Sequence, residues 1–171
     1  MATSSGDIGL LINAEKAPLS AQNVLDYVNA GHYNNTLFHR VISDFMIQGG
    51  GHNPDMSLKQ PRPNIANESD NGLSNKRGTL AMARKRDPHS ANAQFFINLV
   101  DNTYLDHKGT EDGWGYTVFG EVISGMEVVD AIAVVETDSH PLGMRDVPVE
   151  PVVIEHMEQI PCPPQTGAEG S

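Results

Sequence analysis

Short stretches of the chain alternate apolar and polar residues or are apolar throughout, which is typical of β-strands. Strands are predicted over six ranges and a closing segment: 7–12, 37–42, 45–49, 79–83, 94–99, 116–123 and 151–160. Each is bounded by turn-forming residues such as Gly, Asn, Asp or Pro. The chain is therefore predicted to be mainly β, and so many short strands favour a closed barrel or a sandwich.

Two segments instead place apolar residues at helical spacing. The first lies within residues 17–33, where Ser20 is expected to be the N-cap and Gly31 the C′ residue. The second is predicted over residues 125–133. Residues 50–78 have little periodicity and are predicted to be mostly loop. Two helices are too few for a doubly wound parallel sheet.

The length of 171 residues suits one domain with a hydrophobic core. We expect a single domain over residues 1–160, in which residues 1–6 resemble a clipped or introduced start. Residues 161–171 are rich in Pro and Gly and are predicted to be a disordered tail.

The net charge of −11 argues against nucleic acid as the main partner, since phosphate binding requires a basic face. Five basic residues lie within residues 76–86. We interpret them as a solvated loop, with nucleic-acid binding as the minor alternative. A membrane partner is not expected, because no stretch approaches the roughly 18 apolar residues of a membrane span. Cys162 is the only cysteine, and we expect a cytoplasmic monomer, with a processed exported form as the alternative.

Strand parity brings polar and apolar side chains together. Successive side chains of a strand point to opposite faces, so Met46 and Gln48 share the face of Arg40 if pairing continues past the turn at 43–44. Gln94 and Phe96 share one face of their own strand. This composition is typical of a shallow apolar pocket with a few placed polar groups. Parity alone leaves open that both glutamines merely cap strand edges.

No motif for metal, cofactor or covalent chemistry stands out. None of the seven histidines forms an HxH or HExxH pair. The glycines at 49–51 are not followed by Gly-Lys-Ser/Thr, so a turn is expected there and not a phosphate-binding loop. We expect no metal and no cofactor.

Several motifs, in order over residues 7–158, resemble the cyclophilins of the bacterial single-domain type: "FHRVISDFMIQGG", "GTLAMA", "SANAQFFI" and "YTVFGEVISGMEVVDAI". The resemblance implies a closed eight-stranded antiparallel β-barrel with a helix capping each end, and a binding groove on its outer face. It also implies peptidyl-prolyl cis–trans isomerase activity that assists protein folding. The implied partners are proline-containing peptides and unfolded or folding proteins.

The same resemblance assigns roles to individual residues. Arg40 takes the place of the catalytic arginine, and Gln48 is counted with it as catalytic because it orients the arginine. A larger set is implied to bind substrate: Phe45, Met46, Ala83, Gln94, Phe96, Tyr104, Leu105 and Tyr116.

Two positions depart from the eukaryotic pattern, since Tyr104 stands where those members carry tryptophan and Tyr116 where they carry histidine. The tryptophan position is associated with cyclosporin, so we expect cyclosporin to bind only weakly. The segment "ARKRDPHSANAQ" is one residue longer than in those members, which makes Arg84 an uncertain match to the residue whose backbone receives the peptide.

A proline-peptide binding module or holdase with incidental isomerase activity is the alternative function. The same pocket would serve both functions. Arg40 favours catalysis, because a pure binder would not need it.

Overall fold

The computed structural model describes residues 1–162, which contain twelve short strands, two α-helices and one 3₁₀-helix. The strands are β1 (Ala2–Thr3), β2 (Gly6–Asp7), β3 (Gly9–Ile12), β4 (Thr36–Leu37), β5 (Arg40–Ile42), β6 (Met46–Gly49), β7 (Thr79–Met82), β8 (Phe95–Asn98), β9 (Val118–Ser124), β10 (Thr137–Asp138), β11 (Val147–Pro148) and β12 (Val153–His156). The helices are α1 (Pro18–Asn29), α2 (Met126–Ala133) and the 3₁₀-helix Thr103–Leu105. From residue 163 onward, the predicted tail lies outside the described residues.

The strands form three antiparallel sheets. Six strands pair in the order β3-β9-β7-β8-β6-β5, four in the order β2-β1-β12-β4, and β10 pairs with β11. The mainly-β class with two helices is confirmed. The closed eight-stranded barrel is wrong, because the described sheets are open and end at β3, β5, β2 and β4, each of which has a strand partner on one side only.

The sheets stay open because one predicted strand, 37–42, divides between two sheets. Its start, in β4, pairs with β12, and its end, in β5, pairs with β6. Phe38 and His39 lie between them in no strand. The chain changes strand partners at this break. Leu37 keeps backbone hydrogen bonds to Gly50 and His52, just beyond β6, but no strand pairing joins the two sheets there.

One buried apolar cluster joins the two larger sheets and both helices. It includes Ile47 and Ile97 of the six-stranded sheet, Ile154 of β12, Tyr27 of α1 and Ile132 of α2, all at most 1% exposed. Full burial of one such side chain contributes about 1.5–3 kcal/mol. Neither helix is long and apolar enough to cross a membrane within the residues described.

Helix α1 begins earlier than predicted, with Ala17 and not Ser20 as its N-cap. Pro18 occupies the first helical position, where its fixed φ and missing N–H suit a helix start. The carboxylate of Glu68 accepts hydrogen bonds from the backbone N–H groups of Leu19 (3.1 Å) and Ser20 (2.7 Å). A residue far along the chain therefore supplies the cap, which a local sequence pattern does not reveal.

The end of α1 follows the prediction. Gly31 has a φ of +72° and follows the C-cap Ala30 as the C′ residue. Its N–H donates to the carbonyl of Val28 (3.1 Å), and the N–H of His32 donates to that of Tyr27 (3.0 Å). These two bonds end the helix and give a partner to two carbonyls that would otherwise be unpaired.

The remaining elements lie close to their predicted positions. Helix α2 starts one residue later than predicted, and the segment 50–78 contains only the isolated bridges of His52 with Leu58 and of Ile65 with Ala91. The two-residue strands β1, β10 and β11 were not predicted. Such short strands carry too few residues for a period to be detected.

His39, between β4 and β5, is a buried histidine that packs against His52. His39 is only 7% exposed, and the centroids of the two imidazole rings are 4.1 Å apart. Burial, followed by the neighbouring charges of His52 and Arg40, lowers the pKa of His39 from 6.5 to about 3. His39 is therefore neutral in the folded protein at any pH well above 3.

Replacing His39 should change how stability depends on pH. Between about pH 3 and 6.5 the unfolded chain binds a proton that folded His39 does not, so stability is complete above this window and falls as pH decreases through it. One proton contributes at most about 1.4 kcal/mol per pH unit. We expect the free energy of unfolding of His39→Phe, measured in urea from pH 4 to 7, to rise less steeply with pH than that of the wild type. The difference in slope should be up to about 1.4 kcal/mol per pH unit. The control is His156→Gln at an exposed histidine, and equal slopes for wild type and His39→Phe would contradict the prediction.

Candidate functional site

The outer face of the six-stranded sheet carries the predicted polar residues. In the strand register, Arg40 of β5 lies opposite Gln48 of β6, and Gln48 lies opposite Phe96 of β8. Between them, Ile47 pairs with Ile97 on the face that enters the core. The parity prediction, including its continuation past the turn at 43–44, is confirmed.

Hydrogen bonds connect three of these side chains in series. Arg40 Nη1 donates to Gln48 Oε1 at 3.2 Å, and Gln48 Nε2 donates to Gln94 Oε1 at 2.9 Å. The two glutamines therefore orient the guanidinium and do not simply cap strand edges. Arg40 makes no ion pair within the described residues, and Gln48 is its one hydrogen-bonded side chain there. A permanent positive charge with free donors thus lies on this face.

Gly51 allows Gln94 to reach this position. A Cβ atom at residue 51 would lie 2.4 Å from Cγ of Gln94, which is far closer than packed atoms approach. The glycines at 49–51 were predicted only to form a turn. The role of Gly51 was missed because its contact partner lies 43 residues further along the chain.

A cavity of about 280 Å³ adjoins the arginine. Its lining residues are Arg40, Phe45, Met46, Gln48, Ala83, Arg84, Phe96, Leu105 and Tyr116. Pockets for drug-sized ligands are about 300–1,000 Å³, so this cavity suits a small group such as one ring. We name it the ring pocket.

Eight of the ten predicted site residues line the ring pocket, and two do not. Gln94 does not line the ring pocket but accepts a hydrogen bond from Gln48, which does. Tyr104 is 56% exposed and stacks on Phe45 with a centroid distance of 6.4 Å, so it lies beside the ring pocket.

The floor of the ring pocket is apolar and well packed. Met46 and Phe96 are 2% and 5% exposed, and they pack with the buried side chains of Ala81 and Val118. The ring of Phe96 meets that of Tyr116 edge-on at 5.8 Å. Side chains held this closely present a fixed surface to a ligand.

Buried asparagines support the ring pocket from behind. Asn98 Nδ2 donates to Asn75 Oδ1 at 3.1 Å, and Asn102 Nδ2 donates both to Asn98 Oδ1 and to the carbonyl of Phe45, each at 2.9 Å. This network joins the turn that carries Phe45 to the 3₁₀-helix that carries Leu105. Sequence reasoning missed it, although an asparagine ending the apolar run "FFIN" was an available signal.

Arg84 builds one wall of the ring pocket with its side chain. This side chain is only 4% exposed, and its guanidinium lies 4.6 Å from the ring centre of Tyr116. Nε donates to the carbonyl of Gly115 at 3.0 Å, and Nη2 donates to the carboxylate of Asp112 at 2.8 Å. Arg84 thus holds residues 112–116 against the ring pocket, a role that the sequence did not predict.

Asp112 stays charged over the whole neutral range. Hydrogen bonds from the Thr110 hydroxyl and the Trp114 N–H, followed by the interaction with Arg84, lower the pKa of Asp112 from 3.8 to about 2. The ion pair that fixes this wall is therefore present at any pH at which the protein is expected to work.

A larger cavity of about 610 Å³ lies elsewhere on the same sheet and includes Leu11, Lys76 and Glu121 in its lining. It contains neither the arginine nor the glutamines. We therefore take the ring pocket as the candidate site, because polar groups converge on an apolar floor there.

Comparison with known proteins places this geometry in a family. The family described as "Cyclophilin type peptidyl-prolyl cis-trans isomerase/CLD" matches residues 1–159. A peptidyl-prolyl cis-trans isomerase of Streptomyces antibioticus is 58% identical over 154 residues, covering 90% of this chain and 92% of that protein. Peptidyl-prolyl cis-trans isomerase B of Escherichia coli (strain K12) is 56% identical over 155 residues, covering 90% and 93%.

A solved structure is also similar. The cyclophilin type peptidyl-prolyl cis-trans isomerase of Cryptosporidium parvum, crystallised in the presence of the dipeptide Ala-Pro, has a TM-score of 0.76 and 26% identity. The match covers 91% of this chain and 94% of that one.

Removing the Arg84 side chain should weaken the ring pocket without unfolding the protein. Arg84→Ala is expected to raise KM for an Ala-Pro peptide and to lower kcat/KM about tenfold, equivalent to about 1.4 kcal/mol. Arg84→Lys should not restore kcat/KM, because lysine lacks the planar guanidinium that binds Asp112 and Gly115 at the same time. Exchange NMR on the peptide measures both constants.

The matched control for this experiment is Arg62→Ala. Arg62 is exposed and lies 3.7 Å from its partner Asp26, outside the ring pocket. If Arg84→Ala and Arg62→Ala left KM equally unchanged, Arg84 would have no role in the wall.

Proposed function

The chain belongs to the cyclophilin-type peptidyl-prolyl cis–trans isomerases, and we infer that the ring pocket holds the proline of an Xaa-Pro bond while Arg40 promotes rotation about it. The observation that carries this assignment is the position of Arg40. It lies at the edge of an apolar pocket, it is oriented by Gln48, and no carboxylate of the described residues neutralises it.

The reaction needs no bond to be made or broken. Resonance between the amide nitrogen and carbonyl creates a rotation barrier of about 18–20 kcal/mol. At Xaa-Pro bonds the two isomers differ by only about 0.5–1 kcal/mol, so both are populated while exchange is slow. Catalysis therefore requires only that the twisted state be stabilised relative to both planar states.

A donor near the prolyl nitrogen provides this stabilisation. When the bond twists, the nitrogen loses conjugation and becomes a better hydrogen-bond acceptor. An N–H group that binds it only in this state lowers the barrier without tightening binding of the planar peptide. Arg40 suits this role because its guanidinium is always charged, and because Gln48 and Gln94 hold it in place before the substrate arrives.

The apolar floor performs the other half of the task. Phe45, Met46, Phe96 and Leu105 surround the space for the ring, so the ring stays fixed while the preceding carbonyl rotates. An acceleration of about 10⁵-fold requires about 7 kcal/mol of transition-state stabilisation. One preorganised charged hydrogen bond in a partly desolvated pocket, together with fixed positioning of the ring, supplies a transition-state stabilisation of this size.

Proline-containing peptides are the ligands of this family, and a related protein was crystallised in the presence of the dipeptide Ala-Pro. We propose unfolded and folding proteins as the physiological source of such peptides, since the ring pocket lies on the outer face of the sheet, where an extended chain reaches it. Tyr104 supports our proposal of weak cyclosporin binding, because the residue is 56% exposed and its ring stacks on Phe45 without lining the ring pocket.

Arg40→Ala should remove most of the activity and leave the fold intact. Arg40 is half-buried and donates to one glutamine, so its loss disturbs little packing. We expect kcat/KM for an Ala-Pro peptide to fall at least tenfold by exchange NMR. Arg40→Lys should recover little of it, because lysine lacks the rigid fork of donors.

The same experiment separates catalysis from simple binding. A folded Arg40→Ala protein with full activity would refute the role of Arg40. If the wild-type protein bound the peptide at stoichiometric concentration but did not accelerate its cis–trans exchange, a proline-peptide binding module would be favoured.

Phe96→Ala should mainly weaken the binding of a proline peptide, because it removes a buried aromatic side chain that surrounds the space for the ring. A buried Phe→Ala change costs about 3–5 kcal/mol of stability, so Phe96→Leu provides a milder second variant. Kd is measured by NMR titration on protein shown by urea unfolding to be folded.

The control is Phe95→Leu, on the core face of the same strand. It should reduce stability and leave peptide affinity unchanged. Equal affinities for wild type and Phe96→Leu would mean that the ring does not lie on Phe96.

A further inference from the structure

A second cavity adjoins the ring pocket. It has a volume of about 760 Å³ and is lined by Arg84, Lys85, Arg86, Thr110, Glu111, Asp112 and Tyr116. Arg84 and Tyr116 line both cavities, so they form a shared wall. An extended peptide advances about 3.3–3.6 Å per residue. A residue close to a bound proline therefore reaches this second space, which we name the flanking cavity.

The flanking cavity has two basic side chains that are not already engaged. Arg84 is bound to Asp112, and that carboxylate also accepts from the Thr110 hydroxyl at 2.7 Å. Lys85 and Arg86 are exposed and make no ion pair within the part of the chain described. Of the remaining lining residues only Glu111 is charged. The available charge of the flanking cavity is therefore positive, on a protein of net charge −11.

The backbone that carries these two side chains is held in place. Arg84 Nη1 donates to the carbonyl of Lys85 at 3.0 Å, and the N–H of Lys85 donates to Ser90 Oγ at 2.8 Å. Ser90 Oγ donates in turn to the carbonyl of Asp87 at 2.6 Å. The Asp87 carboxylate accepts from the N–H of His89 and forms no ion pair with the two basic residues. The loop thus presents both cations from a fixed base.

These basic residues do not continue into a long basic face. Of the basic residues between 76 and 86, Arg77 is paired with Asp130 at 2.7 Å, and Lys76 lines the separate cavity of about 610 Å³. Lys85 and Arg86 remain as an isolated pair beside the ring pocket. A pair of this extent fits one or two carboxylates better than a nucleic-acid backbone, which requires many phosphate contacts.

We propose that the flanking cavity is a subsite for an acidic residue near the substrate proline, whose carboxylate is bound by Lys85 and Arg86. The proposal rests on the proposed function, since it assigns the ring pocket to proline. It makes the enzyme selective for acidic segments around Xaa-Pro bonds. Ion pairs between exposed groups give modest gains, so we expect a preference of about two- to fivefold.

The test uses peptides with one Ala-Pro bond and either Glu or Gln at the second position before, or the second position after, the proline. Exchange NMR gives kcat/KM for each peptide. At one of the two positions Glu should exceed Gln about two- to fivefold at low salt. The preference should become smaller near 500 mM NaCl, because the screening length there is about 4–5 Å, close to the separation of a direct ion pair.

The variant Lys85→Gln/Arg86→Gln should bring the Glu-to-Gln ratio close to one. The control is Lys16→Gln/Arg62→Gln, which changes the net charge equally at exposed positions that line neither cavity. It should keep the preference. If both double variants lost the preference equally, the effect would come from net charge and the subsite would be refuted.

Two further outcomes separate the subsite from the isomerase function. If all peptides are isomerised but Glu gives no advantage over Gln at either position, the subsite is wrong and the proposed function stands. If no peptide is isomerised, the proposed function fails, and Kd values of the same peptides from NMR titration decide the subsite. Equal affinities for Glu and Gln peptides would then refute it.

Discussion

The site depends on which side chains of β6 and β8 enter the core. Ile47 and Ile97 pair across the two strands and are both fully buried, so their neighbours Gln48 and Phe96 must point outward. A shift of one residue in register would bury the glutamine and expose the isoleucines, at a large cost in free energy. Core packing on one face of the sheet therefore holds the functional face in place.

Two arginines on the same pocket illustrate how environment assigns a role to a side chain. The guanidinium of Arg84 is almost fully buried and is bound by Asp112, Gly115 and the ring of Tyr116, so it acts as part of the structure. Arg40 donates to one neutral glutamine and makes no ion pair in the described residues. Its remaining donors are available to a substrate. The same residue type thus fixes the wall in one case and faces the ligand in the other.

Polar contacts between distant residues shape the loops around this frame. Glu68 caps helix α1, and the asparagines at 75, 98 and 102 tie the turn at Phe45 to the 3₁₀-helix. Most of these hydrogen bonds join residues that are remote in sequence, which is how loops can lie against a core with their polar groups paired. Much of the pocket's rigidity comes from these contacts, because most of its walls are loops and not strands.

Strand parity around Arg40, Gln48 and Phe96 could be read from the sequence because alternation is a local property of an extended chain. The same holds for Gly31 at the end of α1, where a left-handed residue follows the helix. The predictions for Ser20 as a cap and for barrel closure were wrong. Both depend on which distant segment pairs with the residues concerned, and local patterns contain no such information.

By itself, then, the sequence determined the mainly-β class, the positions of most elements, the family, and the face on which Arg40, Gln48 and Phe96 lie. Only the tertiary structure decided that the sheets are open, that Arg84 forms a wall with Asp112, and that Gly51 makes room for Gln94. The reason is physical: backbone geometry relates neighbours along the chain, whereas a cavity is defined by atoms that meet only after the chain has folded.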